Sequence, residues 1–165
     1  MHLLLALPFL IQIVVIGCDE YFFHIRRALP KWERIGHPLD TLTVLICILF
    51  ILFVPFSEGA LKVYIPMAIF SCFFITKDEL IHHECCSAME QWLHSLLFVN
   101  HSLVLASAGL MWPFLHSGDV SFKVLNFFSQ SKFFEVFLIL QAVFIFLFMT
   151  YQIVYWNVLW KQKKK

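Results

Sequence analysis

The chain has 165 residues, of which 61% are hydrophobic, and its mean hydropathy is +0.81. A soluble domain is about 45–50% apolar, so this composition excludes a soluble globular protein. It predicts an all-α integral membrane protein that forms a single helical domain over residues 1–165. The formal net charge is only +1, which gives no electrostatic support to a nucleic-acid partner.

Five apolar stretches are predicted to cross a lipid bilayer as helices, since a span takes about 20 mostly apolar residues. The first stretch ends at Leu29, because Pro30 cannot continue a helix. The predicted spans, in chain order, cover residues 2–29, 41–56, 61–83, 88–112 and 133–160.

The connection between the first two spans, Lys31–Asp40, is predicted to be an ordered loop at the membrane surface. Gly36 and Pro38 favour a turn, and Asp40 is a suitable N-cap for the second helix. Further along, Ser87 and Glu90 match the Ser-x-x-Glu capping box that starts a helix. The third and fourth spans are therefore predicted to meet in a tight turn at residues 84–87.

The orientation follows from the distribution of Lys and Arg, which are enriched in cytoplasmic loops. Nine of the twelve cationic residues fall in or beside the first connection, the third connection and the C-terminal tail. These nine are Arg26, Arg27, Lys31, Arg34, Lys77, Lys161, Lys163, Lys164 and Lys165. The pattern predicts an outside N-terminus and a cytoplasmic C-terminus, in the inner membrane of a bacterium.

Ionisable side chains are concentrated in two short stretches, residues 19–40 and 78–101. These stretches hold eight of the eleven carboxylates and six of the eight histidines. The predicted topology places both stretches at the cytoplasmic face of the membrane. Ionisable groups in or beside membrane helices are costly and mark functional sites.

The spacing of Glu and His within these stretches predicts a metal site. Three spans each carry a Glu four residues before a His, which places both on one helix face. His82 also follows Glu79 by three residues, the spacing found in carboxylate-bridged di-iron bundles. The predicted ligands are Glu20, His24, Glu79, His82, His83, Glu90, His94 and His101.

Further polar residues beside these ligands are predicted to orient the imidazoles or to hydrogen-bond to the cluster. Taken singly, the acidic residues among them, together with Glu33 and His37, also fit solvated positions at helix ends. Tyr151, near the end of the fifth span, is a candidate hydrogen-bonding or radical-bearing partner. The orienting residues are Asp19, Asp40, Asp78, Glu84 and Tyr151.

Glu and His ligate iron, manganese and zinc. We predict a site for two divalent ions, with iron favoured, in an oxidoreductase that modifies a lipid-soluble substrate with electrons from a separate donor. The enzyme type is a hydroxylase, a desaturase or an oxidase, in a chain that can form homo-oligomers. The ligand chemistry resembles that of membrane di-iron enzymes, although the multi-histidine boxes of membrane desaturases are absent.

Three alternatives stay open at this stage. His94 and His101 lie along the fourth span and suit a proton or metal-ion relay. Haem with two axial histidines is less favoured, because haem does not need the neighbouring carboxylates. A non-catalytic membrane subunit would use the same polar residues to hold its helices together.

Overall fold

The computed structural model describes residues 2–78, 86–115 and 130–160, and for residues 2, 3, 78, 130 and 131 the backbone alone. Within these ranges the chain forms five long helices, α1 to α5. Helix α1 covers His2–Asp19 and continues through a π-helical turn, Glu20–His24, into Ile25–Arg27. The others are α2 (Lys31–Phe53), α3 (Glu58–Phe74), α4 (Ala88–Met111) and α5 (Gln130–Val154). Shorter turns extend α3 (Ile75–Asp78), α4 (Trp112–Phe114) and α5 (Tyr155–Leu159).

Each of the five helices is long and apolar enough to cross a membrane. Many large hydrophobic side chains lie on the outer surface, as with Phe53 at 78% exposure and Phe73 at 73%. Such exposure is expected where lipid, and not water, surrounds a helix. The prediction of an all-helical protein with five helices of membrane-spanning length is therefore confirmed for the described residues, and these helices indicate a membrane protein.

The predicted loop at Lys31–Asp40 is wrong, because α2 already begins at Lys31 and passes through Pro38. Asp40 therefore lies inside the helix and is not its N-cap. A proline inside a helix removes the N–H that would bond to the carbonyl four residues earlier, here that of Arg34. The side-chain amide of Asn157, from the extension of α5, donates to this carbonyl at 3.2 Å. A neighbouring helix thus satisfies the group that Pro38 would leave unpaired.

Two serines begin helices α3 and α4. The Ser87 hydroxyl accepts the backbone N–H of Glu90 at 3.3 Å, which confirms the predicted start of α4. Ser57 accepts the N–H of Ala60 at 3.1 Å, so α3 begins three residues before the predicted Leu61. The far end of the predicted third span, residues 79–83, lies outside the described residues.

The packing joins the helices in two close pairs, α1 with α4 and α2 with α5, while α2 also contacts α3. One end of the bundle holds an aromatic cluster, in which the indole N–H of Trp112 donates to the Val54 carbonyl at 2.8 Å. The opposite end holds the polar side chains. Residues from the end of α1, the beginning of α2 and the beginning of α4 meet there, so distant parts of the sequence form one cluster.

Candidate metal centre

Asp19 and two histidines form the centre of the polar cluster. Oδ2 of Asp19 lies 3.1 Å from Nε2 of His24 on the same helix and 3.1 Å from Nε2 of His94 on α4. Each of the three residues is at most 4% exposed. Together with Glu90, they offer four ligand atoms that all lie within 4.8 Å of one another. Two imidazoles and two carboxylates are a donor set that suits iron, manganese or zinc.

The π-helical turn explains how Asp19 joins this group. Residues five apart in a regular α-helix point about 140° away from each other, so Asp19 and His24 would face different neighbours. Hydrogen bonding between residues five apart places them nearly one above the other. The turn over Glu20–His24 therefore turns both side chains toward α4. The sequence prediction used α-helical spacing and for this reason assigned Asp19 only an orienting role.

Glu20 holds the His24 ring from its other side. Oε2 of Glu20 lies 3.0 Å from Nδ1 of His24, and Oε1 accepts the Tyr151 hydroxyl at 2.7 Å and the Trp156 indole N–H at 2.9 Å. An ionised carboxylate only accepts hydrogen bonds, so beside ionised Glu20 Nδ1 of His24 carries a proton, and a neutral ring then has its lone pair on Nε2, the atom beside Asp19. Glu20, predicted as a ligand, thus lies outside the four-residue group and orients a member of it.

Arg27 compensates two of the buried carboxylates. Its guanidinium donates to Oε2 of Glu33 at 2.8 Å, to Oε1 of Glu33 at 3.3 Å and to Oε1 of Glu90 at 2.8 Å. Glu33 is 0% exposed and Glu90 is 2% exposed. Asp19 and Glu20 face imidazoles instead, which are charged only when protonated. Their negative charge in a buried setting favours either protonated histidines or a bound cation.

Two atoms of the centre make no hydrogen bond to any described residue. They are Oδ1 of Asp19 and Nε2 of His24, both fully buried. The 3.1 Å approach of His24 Nε2 to Oδ2 of Asp19 is close enough for a hydrogen bond but wrongly angled for one. Buried polar atoms are normally paired, so a carboxylate oxygen and an imidazole nitrogen that both lack a partner in one cluster favour a ligand at this site.

A second group of possible ligands shares His24. One ligand atom each from His24, Glu33 and His37 lies within 4.8 Å of the others, and the His24 and His37 rings stack with centroids 5.0 Å apart. Asp40, beside His37, forms an ion pair with Lys77 at 2.6 Å. The solvated positions expected for Asp19 and Glu33 are wrong, because both side chains are buried, whereas His37 and Asp40 stay partly exposed at 17% and 18%.

His101 lies apart from the four-residue group. Its Nε2 is 2.9 Å from the Ser71 hydroxyl, which lies 2.7 Å from the Thr43 hydroxyl, and these contacts link α4 with α3 and α2. His101 nevertheless faces the same cavity as the centre. This cavity measures about 120 Å³. Its polar wall includes Asp19, Glu20, His24, His37, Asp40, His94 and His101.

The remaining predicted residues are not placed at the centre. Asp78 closes the turn after α3, and its side chain is not described. The other four, Glu79, His82, His83 and Glu84, lie outside the described residues. Cys86 lies at the same end of the bundle, where burial raises the pKa of its thiol to about 12. The thiol is therefore neutral at pH 7 and is a weaker ligand candidate than the imidazoles.

Sequence reasoning missed the roles of three residues in this cluster, Arg27, Glu33 and Trp156. Arg26 and Arg27 were both used as orientation signals, and nothing in the sequence separates the half-buried Arg27 from the exposed Arg26. Trp156 carries no signal in the sequence that separates it from the other aromatic residues near the end of the fifth span. Glu33 carried one available signal: it lies four residues before His37, the same spacing that selected Glu20 with His24.

No family model, curated protein or solved structure matches this chain. The functional argument therefore rests on the geometry and chemistry of the cluster.

Proposed function

We propose that this protein is a membrane metalloprotein in which Asp19, His24, Glu90 and His94 bind a divalent transition metal. The observation that supports the proposal most strongly is the position of Asp19. One of its oxygens lies 3.1 Å from two imidazole nitrogens, and the other is buried without a hydrogen-bond partner among the described residues. A cation bound beside Asp19 would satisfy both of its oxygens and offset the charge of its carboxylate.

The surrounding residues prepare the four ligands. Glu20 fixes the His24 tautomer, and Arg27 holds Glu90 by one oxygen, so that the second oxygen of Glu90 can bind the ion. Without a metal, Nε2–H of His94 donates to Oδ2 of Asp19 at 3.1 Å. A metal takes the place of this proton, which moves to Nδ1 in a neutral ring and leaves from a protonated ring, so we expect binding to weaken as the pH falls.

We extend the proposal to iron-dependent oxidation of a lipid-soluble substrate. Histidine and carboxylate ligands with open coordination positions are typical of iron sites that activate dioxygen. In a hydroxylation, a substrate C–H bond breaks and a C–O bond forms with one atom of dioxygen. The other oxygen atom leaves as water, with two protons and two electrons from a reduced electron carrier. The cavity of about 120 Å³ beside Asp19, His24 and His94 provides space for the reacting part of the substrate.

A two-iron centre requires further ligands. The described residues offer His24, Glu33 and His37 as a second group, but Glu33 already accepts two bonds from Arg27. The predicted ligands Glu79, His82 and His83 lie outside the described residues. The ratio of metal to protein therefore decides between one ion and two.

The test is elemental analysis of protein purified in detergent after expression with iron, manganese and zinc supplied. We expect about one or two ions per chain in the wild type and a loss of about tenfold or more in His94→Ala, because each ligand is needed for tight binding. His101→Ala is a matched control: it also removes a buried histidine from α4, but one that bonds to Ser71. Metal-free wild-type protein, or equal loss in both variants, would contradict the proposal.

A proton relay is the second candidate function. A run of five side chains leads from His94 through Asp19, His24 and Glu20 to Tyr151, with successive distances of 3.1, 3.1, 3.0 and 2.7 Å. Its Asp19–His24 step is a close approach and not a hydrogen bond. This run favours proton movement if the protein is metal-free. Proton flux into dye-loaded liposomes containing metal-free protein, abolished in Asp19→Asn, would support the relay and displace the metal centre.

A further inference from the structure

A second, apolar cavity of about 60 Å³ adjoins the polar cavity. Gln12, Thr41 and His101 are among the residues that line both. Beyond them the wall is apolar and includes Ile13, Val104, Phe144 and Ile145, with Gln141 at its edge. We call this second cavity the apolar slot. It extends the polar cavity away from the charged end of the bundle and toward the middle of the membrane-spanning segments.

The slot lies between α1 and α5, which are not one of the closely packed helix pairs. The two helices touch at both ends of the seam. Phe9 and Phe137 meet edge to face with ring centroids 5.1 Å apart, and Tyr151 donates to Glu20 at 2.7 Å. Between these contacts, Phe144 lines the slot and is also 43% exposed on the outer surface. The slot therefore reaches the face of the bundle that lipid would surround.

We infer that the apolar slot binds the end segment of the hydrocarbon tail of a single-chain lipid, which enters sideways between α1 and α5 and places its reacting end beside Asp19, His24 and His94. The reaction in this inference rests on the proposed metal centre, whereas binding of the chain depends only on the residues that line the slot. It identifies the substrate class as an unbranched alkyl or acyl lipid.

The size of the two cavities favours an unbranched chain. A cavity of about 150 Å³ holds a benzene ring. The polar cavity, at about 120 Å³, approaches this volume, and the slot, at about 60 Å³, is half as large as the polar cavity. Lipid tails are as apolar as the slot, so burial from water does not select the ligand inside a membrane. Size selects it instead: the slot of about 60 Å³ has less than half of the volume that holds a benzene ring, so it has room for a slim unbranched segment and not for branched chains or fused rings.

The experiment uses the full-length protein in detergent with a photoreactive probe, hexadecanol that carries a diazirine near the end of its chain. After illumination, mass spectrometry locates the labelled residues. We expect labels on the slot-facing residues of α1, α4 and α5. Excess hexadecanol should remove the labels, whereas adamantanemethanol, a bulky cage alcohol, should not.

Two tryptophan substitutions on α5 provide the matched comparison. Ile145→Trp fills the slot and should lower labelling by about tenfold. Val143→Trp adds the same side chain on the outer surface, where Val143 is 51% exposed, and should leave labelling unchanged. Labels spread evenly over the outer surface, or equal labelling in both variants, would overturn the inference.

Metal content measured in the same preparations separates this inference from the proposed function. Metal-free protein that still labels in the slot would support the chain-binding site and reject the metal centre. Metal-containing protein without slot labelling would reject the chain-binding site and keep the centre.

Discussion

Arg27 joins three helices through buried carboxylates. It lies at the end of α1, and its guanidinium binds Glu33 on α2 and Glu90 on α4. The turn that follows is made by Ala28, whose φ of 65° is unusual for a residue with a side chain. This sharp turn reverses the chain so that Glu33, six residues later, reaches Arg27.

We predict that Arg27→Ala destabilises the protein by about 3–5 kcal/mol, because it leaves two buried carboxylates without their cation. The control is Arg26→Ala, since Arg26 is exposed and lies over the Phe22 ring at 5.7 Å. The control should cost about 1 kcal/mol or less. Thermal unfolding in detergent, followed by the monodisperse fraction after heating, measures both variants.

A second substitution sharpens this comparison. Adding Glu33→Gln to Arg27→Ala removes one uncompensated charge, so part of the lost stability should return. If Arg26→Ala and Arg27→Ala lower the unfolding temperature equally, Arg27 has no special role in the cluster.

Helix α4 approaches α3 closely at Gly109. A Cβ atom added there would lie 3.1 Å from Cε1 of Tyr64. Tyr64 has little freedom to move, because it is 4% exposed and its hydroxyl donates to the Leu105 carbonyl at 2.7 Å. Small residues at such crossings let membrane helices pack closely. Gly17, in α1, has nothing within 4 Å of the same added atom.

We predict that Gly109→Ala destabilises the protein by about 1–3 kcal/mol through overpacking against Tyr64. Gly17→Ala is the matched control and should be stabilising by about 1 kcal/mol, since alanine favours the helix. The unfolding temperature in detergent separates the two effects. An unchanged Gly109→Ala protein would mean that α3 and α4 can move apart at no cost.

The five helices are predicted to place the metal centre at the cytoplasmic face. The charged end of the bundle contains the end of α1, the beginning of α2 and the end of α5, and most Lys and Arg residues flank this end. By the positive-inside rule, this distribution predicts that the charged end of the bundle faces the cytoplasm.

Reporter fusions test this orientation. Green fluorescent protein fused after Lys165 should fluoresce, and alkaline phosphatase fused at the same point should be inactive. Alkaline phosphatase fused after Ser57, in the connection between α2 and α3, should be active because that connection is predicted to face outward. The reverse pattern would place the centre on the outer face of the membrane.

The residue order alone was sufficient to predict the number of helices, the start of α4 and the gathering of acidic residues and histidines at one end. These properties depend on local composition and on short-range spacing. Hydropathy predicts the helices, the Ser87 cap predicts the start of α4, and the Glu–His intervals predict the cluster. His24, Glu90 and His94 were selected from such intervals, and the structure brings the three together.

The membership of the cluster depended on contacts between helices. Asp19 joins His94 because a π-helical turn changes its direction, and Pro38 stays helical because Asn157 of another helix satisfies the Arg34 carbonyl. Glu33 is fully buried because the half-buried Arg27 compensates its charge. Each of these contacts joins residues that are distant in sequence or that an irregular stretch of backbone brings together. Spacing rules for regular helices contain no information about such pairings, so the folded chain was needed to identify them.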